Sequence, residues 1–292
     1  MSQSKLHIWL LASRPKTLPA AAAPVIIGTA FAWNAEAFHL LSFLGALLGA
    51  LFIQIGTNLA NDYFDYKKGS DREDRLGPTR VTQAGLVSPQ SVKWAMIIAF
   101  SLAFLVGIYL VYRGGIPIVV IGLLSILFGV LYTGGRYPIG YIGLGDIFVL
   151  IFFGPVAVGG TYYVQTLSIT NEVLIAGLAP GFFSVAILVV NNLRDINSDR
   201  QSGKKTLAVR FGERFSKIQY SLSLLIPFMI VIYLAVTNQN YNLLLPLVEL
   251  VPVFFVLKNL LTQVGEPLNT VLAQTGMLLF FYSIFLSIGI LL

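Results

Sequence analysis

The chain has 292 residues, of which 56% are hydrophobic and 11% are charged, where a soluble domain carries about 25% charged residues. That composition excludes an ordinary water-soluble enzyme, and the net charge of +6 is a topology signal rather than a nucleic-acid footprint. Cysteine is absent, so disulfides, zinc thiolates and thiol catalysis are excluded as well.

The opening stretch, 1–19, has no cleavable-signal pattern. Arg14, Pro15 and Lys16 interrupt it, so the first span is expected to be retained. Apolar runs long enough to cross a bilayer then recur at 17–34, 40–61, 92–112, 116–133, 145–164, 172–193, 217–237, 241–257 and 268–291. Backbone groups in lipid must be paired internally, and continuous Leu/Ile/Val/Phe runs do not alternate as barrel strands do. The expected fold is an all-α integral membrane protein with nine transmembrane helices around a central cavity. Residues 1–292 are read as a single transmembrane domain. With the N-terminus in the cytoplasm, every Lys and Arg except Arg113 falls on the cytoplasmic side. His7 and His39, near membrane ends, read as interfacial residues.

Two acidic clusters close the second and sixth runs. The first contains Asn58, Asn61, Asp62 and Asp65, followed by Asp71, Glu73 and Asp74; the second contains Asn191, Asp195 and Asp199. If each run stays helical to its end, offsets 0, 3, 4 and 7 share one face, and so do offsets 0, 4 and 8. Both faces would end helices that run toward the cytoplasm, where the negative dipole end adds to cation attraction. Mg²⁺ favours one or two carboxylates together with phosphate oxygens and waters. Two such faces on one cavity suit a diphosphate carrying a greasy tail. The bland alternative is a solvated acidic cap, which two clusters with Asn at matched offsets make harder to sustain.

At these residues the chain resembles the UbiA superfamily of intramembrane prenyltransferases. That pattern begins Asn-Asp-x-x-Asp and has a second Asp-x-x-x-Asp, here Asn61-Asp62-Tyr63-Phe64-Asp65 and Asp195 to Asp199. The stretches RPKTLP (14–19), NLANDYFDYKKGSD (58–71), GPTRVTQAGLVS (77–88), YPIGYIGLGD (137–146) and NNLRDINSDRQSGKKTLAVRFG (191–212) are similar to the branch that prenylates 1,4-dihydroxy-2-naphthoate for menaquinone. The last three spans carry no motif. Many superfamily members have a third Asp where this chain has Gly69, and the nearest carboxylate is Asp71.

The resemblance implies a Mg²⁺-dependent polyprenyltransferase of the cell (cytoplasmic or inner) membrane, multi-pass, with its active site facing the cytoplasm. Its substrates would be polyprenyl diphosphate and 1,4-dihydroxy-2-naphthoate. Asp62, Asp65, Asp195 and Asp199 would act in catalysis and hold metal, with Asp71 as a further ligand. Asn61, Asn191, Arg80, Lys204, Arg136 and Tyr132 would bind the diphosphate or the aromatic ring. Lys205 and Arg72 are placed to help, and Lys204-Lys205-Thr206 matches the family's Lys-x-Thr. Tyr137 and Tyr141 are candidates for shielding a carbocation, although interfacial aromatic belts also place Tyr there. Asp146 opens the fifth span and Glu249 lies inside the eighth, where an intramembrane carboxylate defaults to a functional hypothesis. The same fold acting on another acceptor, such as 4-hydroxybenzoate, remains open. So does a transporter with an acidic vestibule, although its charges would be expected nearer mid-membrane.

Overall fold

A computed structural model describes residues 4–70 and 76–292. All long elements among them are helices: α1 (Lys5–Ser13), α2 (Leu18–Asn34), α3 (Leu40–Lys67), α4 (Pro89–Gly114), α5 (Ile116–Leu131), α6 (Gly145–Phe152), α7 (Pro155–Thr166), α8 (Asn171–Arg194), α9 (Ile196–Gln201), α10 (Leu207–Thr237), α11 (Leu250–Thr262) and α12 (Leu268–Leu291). Short 3₁₀ segments at Pro15–Thr17 and Tyr241–Glu249 lead into α2 and α11.

Seven units among the described residues are long and apolar enough to cross a membrane: α3, α4, α6 with α7, α8, α10, the second 3₁₀ segment with α11, and α12. The other two expected spans are the shorter helices α2, of 17 residues, and α5, of 16. The fifth expected span is two helices. Pro155 has no N–H and disfavours a helical residue before it, so α6 ends and Gly154 turns out of the helix. Gly212 breaks α10 near its start with φ 83°, a conformation that a side chain would strain.

α8 is the central helix. Its apolar window is 72% buried against 22% for α3 and for α4, so α8 is packed on several sides while α3 and α4 turn much of their surface outward. Phe183 of α8, Phe228 of α10 and Tyr282 of α12 form the middle of the larger core, with ring centroids 5.0–6.3 Å apart. Buried hydroxyls are paired there: Tyr220 Oη with Thr275 Oγ1 at 2.7 Å, and Tyr282 Oη donating to the Pro227 carbonyl at 2.8 Å. A smaller core joins α1, α3 and α4 around Leu59, Val92 and Phe100. α2 meets α7 so closely that a Cβ at Gly28 would stand 2.5 Å from the Val158 carbonyl oxygen. Small residues permit that approach where no hydrophobic force drives helices together in lipid.

The first acidic cluster is helical throughout, because α3 continues to Lys67. The second is not. α8 stops at Arg194, Asp195 takes the C-cap position with φ −95° and ψ 11°, and α9 starts anew at Ile196. The helix is therefore interrupted at Asp195, where one unbroken helix was expected, yet backbone hydrogen bonds from Asp195 N to the Asn191 carbonyl at 3.1 Å and from Asp199 N to the Asp195 carbonyl at 2.8 Å carry across the break.

Candidate active site

The ends of α3 and α8 and three connections meet at one end of the bundle. Asp62 and Asp65 are buried, at 2% and 1% exposure, although they sit at the end of an apolar helix. Buried carboxylates need partners, and the segment after the first cluster supplies them. Asp62 accepts the backbone N–H of Val81 at 3.1 Å and of Thr82 at 3.3 Å. Arg80 Nη2 donates to Asp65 Oδ2 at 2.9 Å, and Tyr141 Oη donates to Asp65 Oδ1 at 2.6 Å. Asn61 Oδ1 accepts from the Thr133 hydroxyl at 2.9 Å, while Asn58 Nδ2 donates to the Ser13 carbonyl and to Thr17 Oγ1, both at 3.0 Å. The shared face therefore divides its work. Asn58 ties down the N-terminal turn, and the two aspartates hold the loop that carries Arg80.

The second cluster is organised by Arg194. This buried guanidinium lies against its neighbour Asp195 at 2.9 Å and 2.6 Å, a two-point contact of the strong kind. It also donates to Asn191 Oδ1 and to Asn269 Oδ1, each at 2.7 Å. Asn269 in turn donates to the Leu76 carbonyl at 2.9 Å, which joins α12 to the loop after the first cluster.

Lys204 connects the two clusters. Its Nζ lies 3.3 Å from Asp199 Oδ1 and 3.9 Å from Asp65 Oδ2, and 4.8 Å from the centre of the Tyr141 ring. The backbone beneath it is fixed: Lys204 N donates to the Asp199 carbonyl at 2.9 Å, and Lys205 N to the Tyr141 carbonyl at 2.7 Å. Gly143 makes that approach possible, since it has φ 81° and a Cβ there would be 2.9 Å from the Lys205 oxygen. Lys68 stands 4.9 Å from the Tyr141 ring and donates to the Thr133 and Gly135 carbonyls. Burial holds the Lys68 ammonium below the usual lysine value, although Asp65 pulls it back up.

Beside this polar end, a cavity of about 560 Å³ runs between α2, α3, α4, α5, α6 and α7. Its polar lining includes Gln54, Thr57, Asn58, Asn61 and Tyr132, and the rest is almost entirely apolar. Tyr132 lies within electrostatic reach of Asp146, Asp199 and Asp65, so it stands where cavity and clusters meet. A second concavity, of about 690 Å³, lies on the outside of α10 and α11 around Arg214 and Lys217, and neither acidic cluster lines it.

The arrangement suits a molecule with a polyanionic head and an apolar tail. A hard divalent cation suits it too. No three acidic or histidine residues already form a metal cluster among the described residues, but Mg²⁺ needs only one or two carboxylates when phosphate oxygens and waters complete the shell. The ammonium of Lys204 between Asp65 and Asp199 stands in for such a cation, so carboxylates of both clusters do face one positive charge.

Residues 21–288 match the UbiA prenyltransferase family. The chain belongs to that family. It is 37% identical over 305 residues to the 1,4-dihydroxy-2-naphthoate octaprenyltransferase of Haemophilus influenzae, covering 100% of this chain and 98% of the relative. It is 46% identical over 216 residues to the Escherichia coli protein of the same name, covering 72% of this chain and 70% of that one. In fold, it is similar to a UbiA homologue from Archaeoglobus fulgidus solved with GPP and Mg²⁺, with a TM-score of 0.70, 15% identity, and coverage of 97% and 99% of the two chains.

Most of the site residues expected from the UbiA resemblance come together. Arg80, Asp65, Lys204 and Asp199 form a chain of contacts in that order, and Asn61 and Tyr132 line the adjoining cavity. Asp195 and Asn191 meet through Arg194. Arg136 does not join them; it is exposed and lies over the ring of Tyr137, which is 70% exposed. Asp71 and Arg72 lie outside the described residues. Asp146 accepts a hydrogen bond from Gln219 at 2.7 Å, tying α6 to α10. Glu249 is buried within the C-terminal helices, away from the cavity lining. Four contributors escaped sequence reasoning: Arg194, Asn269, Thr133 and Ser70, whose hydroxyl lies 2.9 Å from Tyr141 Oη. Arg194 had a signal in its position between two motif residues. Asn269 had none.

Proposed function

We propose that this chain transfers a polyprenyl group from polyprenyl diphosphate to 1,4-dihydroxy-2-naphthoate, releasing CO₂ and diphosphate and giving demethylmenaquinol. The observation that carries the reading is Lys204 joining the two Asp-rich motifs beside an apolar cavity. The names of the H. influenzae and E. coli relatives support the acceptor. The fold likeness to a homologue solved with GPP and Mg²⁺ supports the donor and the metal.

In this reading the prenyl tail lies in the cavity and the diphosphate rests at its polar end. Asp62, Asp65, Asp195 and Asp199, with Asp71 as a further candidate, would hold Mg²⁺, which supplies positive charge to the departing diphosphate. Arg80 and Lys204 add positive charge where negative charge grows as the C–O bond breaks. Asn61 and Asn191 orient the head group. The apolar walls exclude water from the allylic cation, and Tyr132, on the cavity wall, is the aromatic residue placed to stabilise it. The ring carbon bearing the carboxylate attacks, the new C–C bond forms, and CO₂ leaves with the electron pair of its bond returning to the ring. Arg136, in the exposed turn, is a candidate for first contact with the aromatic carboxylate.

We also propose nine spans with the N-terminus in the cytoplasm, residues 1–292 as one domain, and a multi-pass protein of the inner membrane with the Asp-rich end facing the cytoplasm. The strongly one-sided distribution of Lys and Arg supports that orientation. The test is direct. Purified protein is incubated with 1,4-dihydroxy-2-naphthoate, a polyprenyl diphosphate and Mg²⁺, with an EDTA control and 4-hydroxybenzoate as rival acceptor. A metal-dependent product whose mass lacks the carboxylate is expected. Product from 4-hydroxybenzoate alone would overturn the acceptor, and no product from either would overturn the activity.

A further inference from the structure

Lys204 occupies ground that a metal ion would want. Its ammonium lies 3.3 Å from Asp199 and 3.9 Å from Asp65, and its side chain is only 15% exposed. A divalent cation set between those two carboxylates would stand within a few ångströms of that ammonium, where the repulsion of like charges is severe in a partly buried site. Both cannot stay. Nor can the backbone yield, because hydrogen bonds of 2.9 and 2.7 Å pin the amides of Lys204 and Lys205. The flexible four-carbon stem is what can move.

We propose that Lys204 is a built-in counter-cation: it shields the Asp65–Asp199 pair from a lone divalent ion and surrenders the pair only when a diphosphate gives its ammonium a new anionic partner. This rests on the reading of the two clusters as the metal–diphosphate site. Diphosphate and metal then bind with positive coupling, because each supplies what the other needs. The head group draws Lys204 off the carboxylates, and the metal takes the place it leaves. An enzyme built this way does not hold metal across its carboxylates between turnovers. Arg80 stays on the Asp65 oxygen throughout, 2.9 Å away, so the site does not become a bare acidic pocket in the exchange.

The experiment measures Mn²⁺ bound to purified protein by equilibrium dialysis at fixed free Mn²⁺, with and without inorganic diphosphate. It compares the wild type with Lys204→Met, and with Lys258→Met as a control for net charge on an exposed residue of α11. Wild type is expected to bind Mn²⁺ weakly alone and about tenfold or more tightly with diphosphate. Lys204→Met should bind Mn²⁺ alone about tenfold more tightly than wild type and lose most of the coupling. Lys204→Arg, which keeps the charge, should behave as wild type, and it replaces the Met variant as the informative arm if that variant does not fold. Equal Mn²⁺ affinity of wild type and Lys204→Met without diphosphate overturns the proposal, as does the same gain in Lys258→Met or a lost coupling in Lys204→Arg. Absence of Mn²⁺ binding in every protein, diphosphate included, overturns the metal–diphosphate reading itself. Neither result depends on which aromatic acceptor is used.

Discussion

The two acidic clusters look alike in sequence and are neutralised in different ways. Asp62 and Asp65 on α3 draw their partners from far along the chain: the Val81 and Thr82 amides, Arg80, Tyr141 and Lys204. Asp195 is matched by Arg194, the residue beside it, and the pair is anchored to α12 through Asn269. The first cluster is thus assembled from loops that lie well beyond it in the chain. The second is closed within the bundle by a guanidinium that is fully buried. Carboxylates that attract cations can be held ready in either manner, and the Lys204 side chain, 3.3 Å from Asp199 and 3.9 Å from Asp65, is the countercharge the two clusters share.

The sharpest way to break this comparison is to delete one carboxylate from each side. Asp65→Ala and Asp195→Ala are both expected to lower prenyl transfer by about a thousandfold or more, as loss of preorganised charge at a leaving group does. Full activity in both, measured on folded protein by product mass, would falsify the two-cluster mechanism. Next comes the fold itself. Arg194→Met takes a two-point contact from a buried carboxylate and should cost about 3–5 kcal/mol of stability, whereas Arg80→Met should cost less, because Lys204 and Tyr141 still face Asp65. Thermal unfolding in detergent compares them, and equal losses would erase the distinction between the clusters. Asn269→Ala removes one bond to that charged guanidinium and the tie to Leu76, for about 1.5–3 kcal/mol. The smallest loss of stability is expected from Asp62→Asn, which keeps one acceptor oxygen for two backbone amides and should lose about 1 kcal/mol. Its loop should loosen, seen as faster amide exchange at Val81 and Thr82.

Much of this molecule was legible before any coordinates. Long apolar runs can only be helices in lipid, so their positions follow from backbone hydrogen bonding, and eight of the expected spans begin within a few residues of a described helix or 3₁₀ segment. The seventh begins ten residues early, at Leu207 rather than 217, because the helix runs back through the Gly212 break. The motif residues were legible too, since carboxylates at a membrane edge are costly enough to demand a reason.

The sequence by itself determined the helical membrane class, the two Asp-rich motifs and their likeness to the UbiA family, because those depend on local periodicity and on residue identity. Only the tertiary structure decided that α8 stops at Arg194 so that Asp195 becomes a cap, that Asn269 in a motif-free helix supports the second cluster, and that Lys204 reaches both acidic ends at once. The Arg194–Asn269 bond spans 75 residues of chain, and the Lys204–Asp65 contact spans more. No spacing rule carries that information, because the pairing is fixed by packing and by the cost of leaving a buried charge alone.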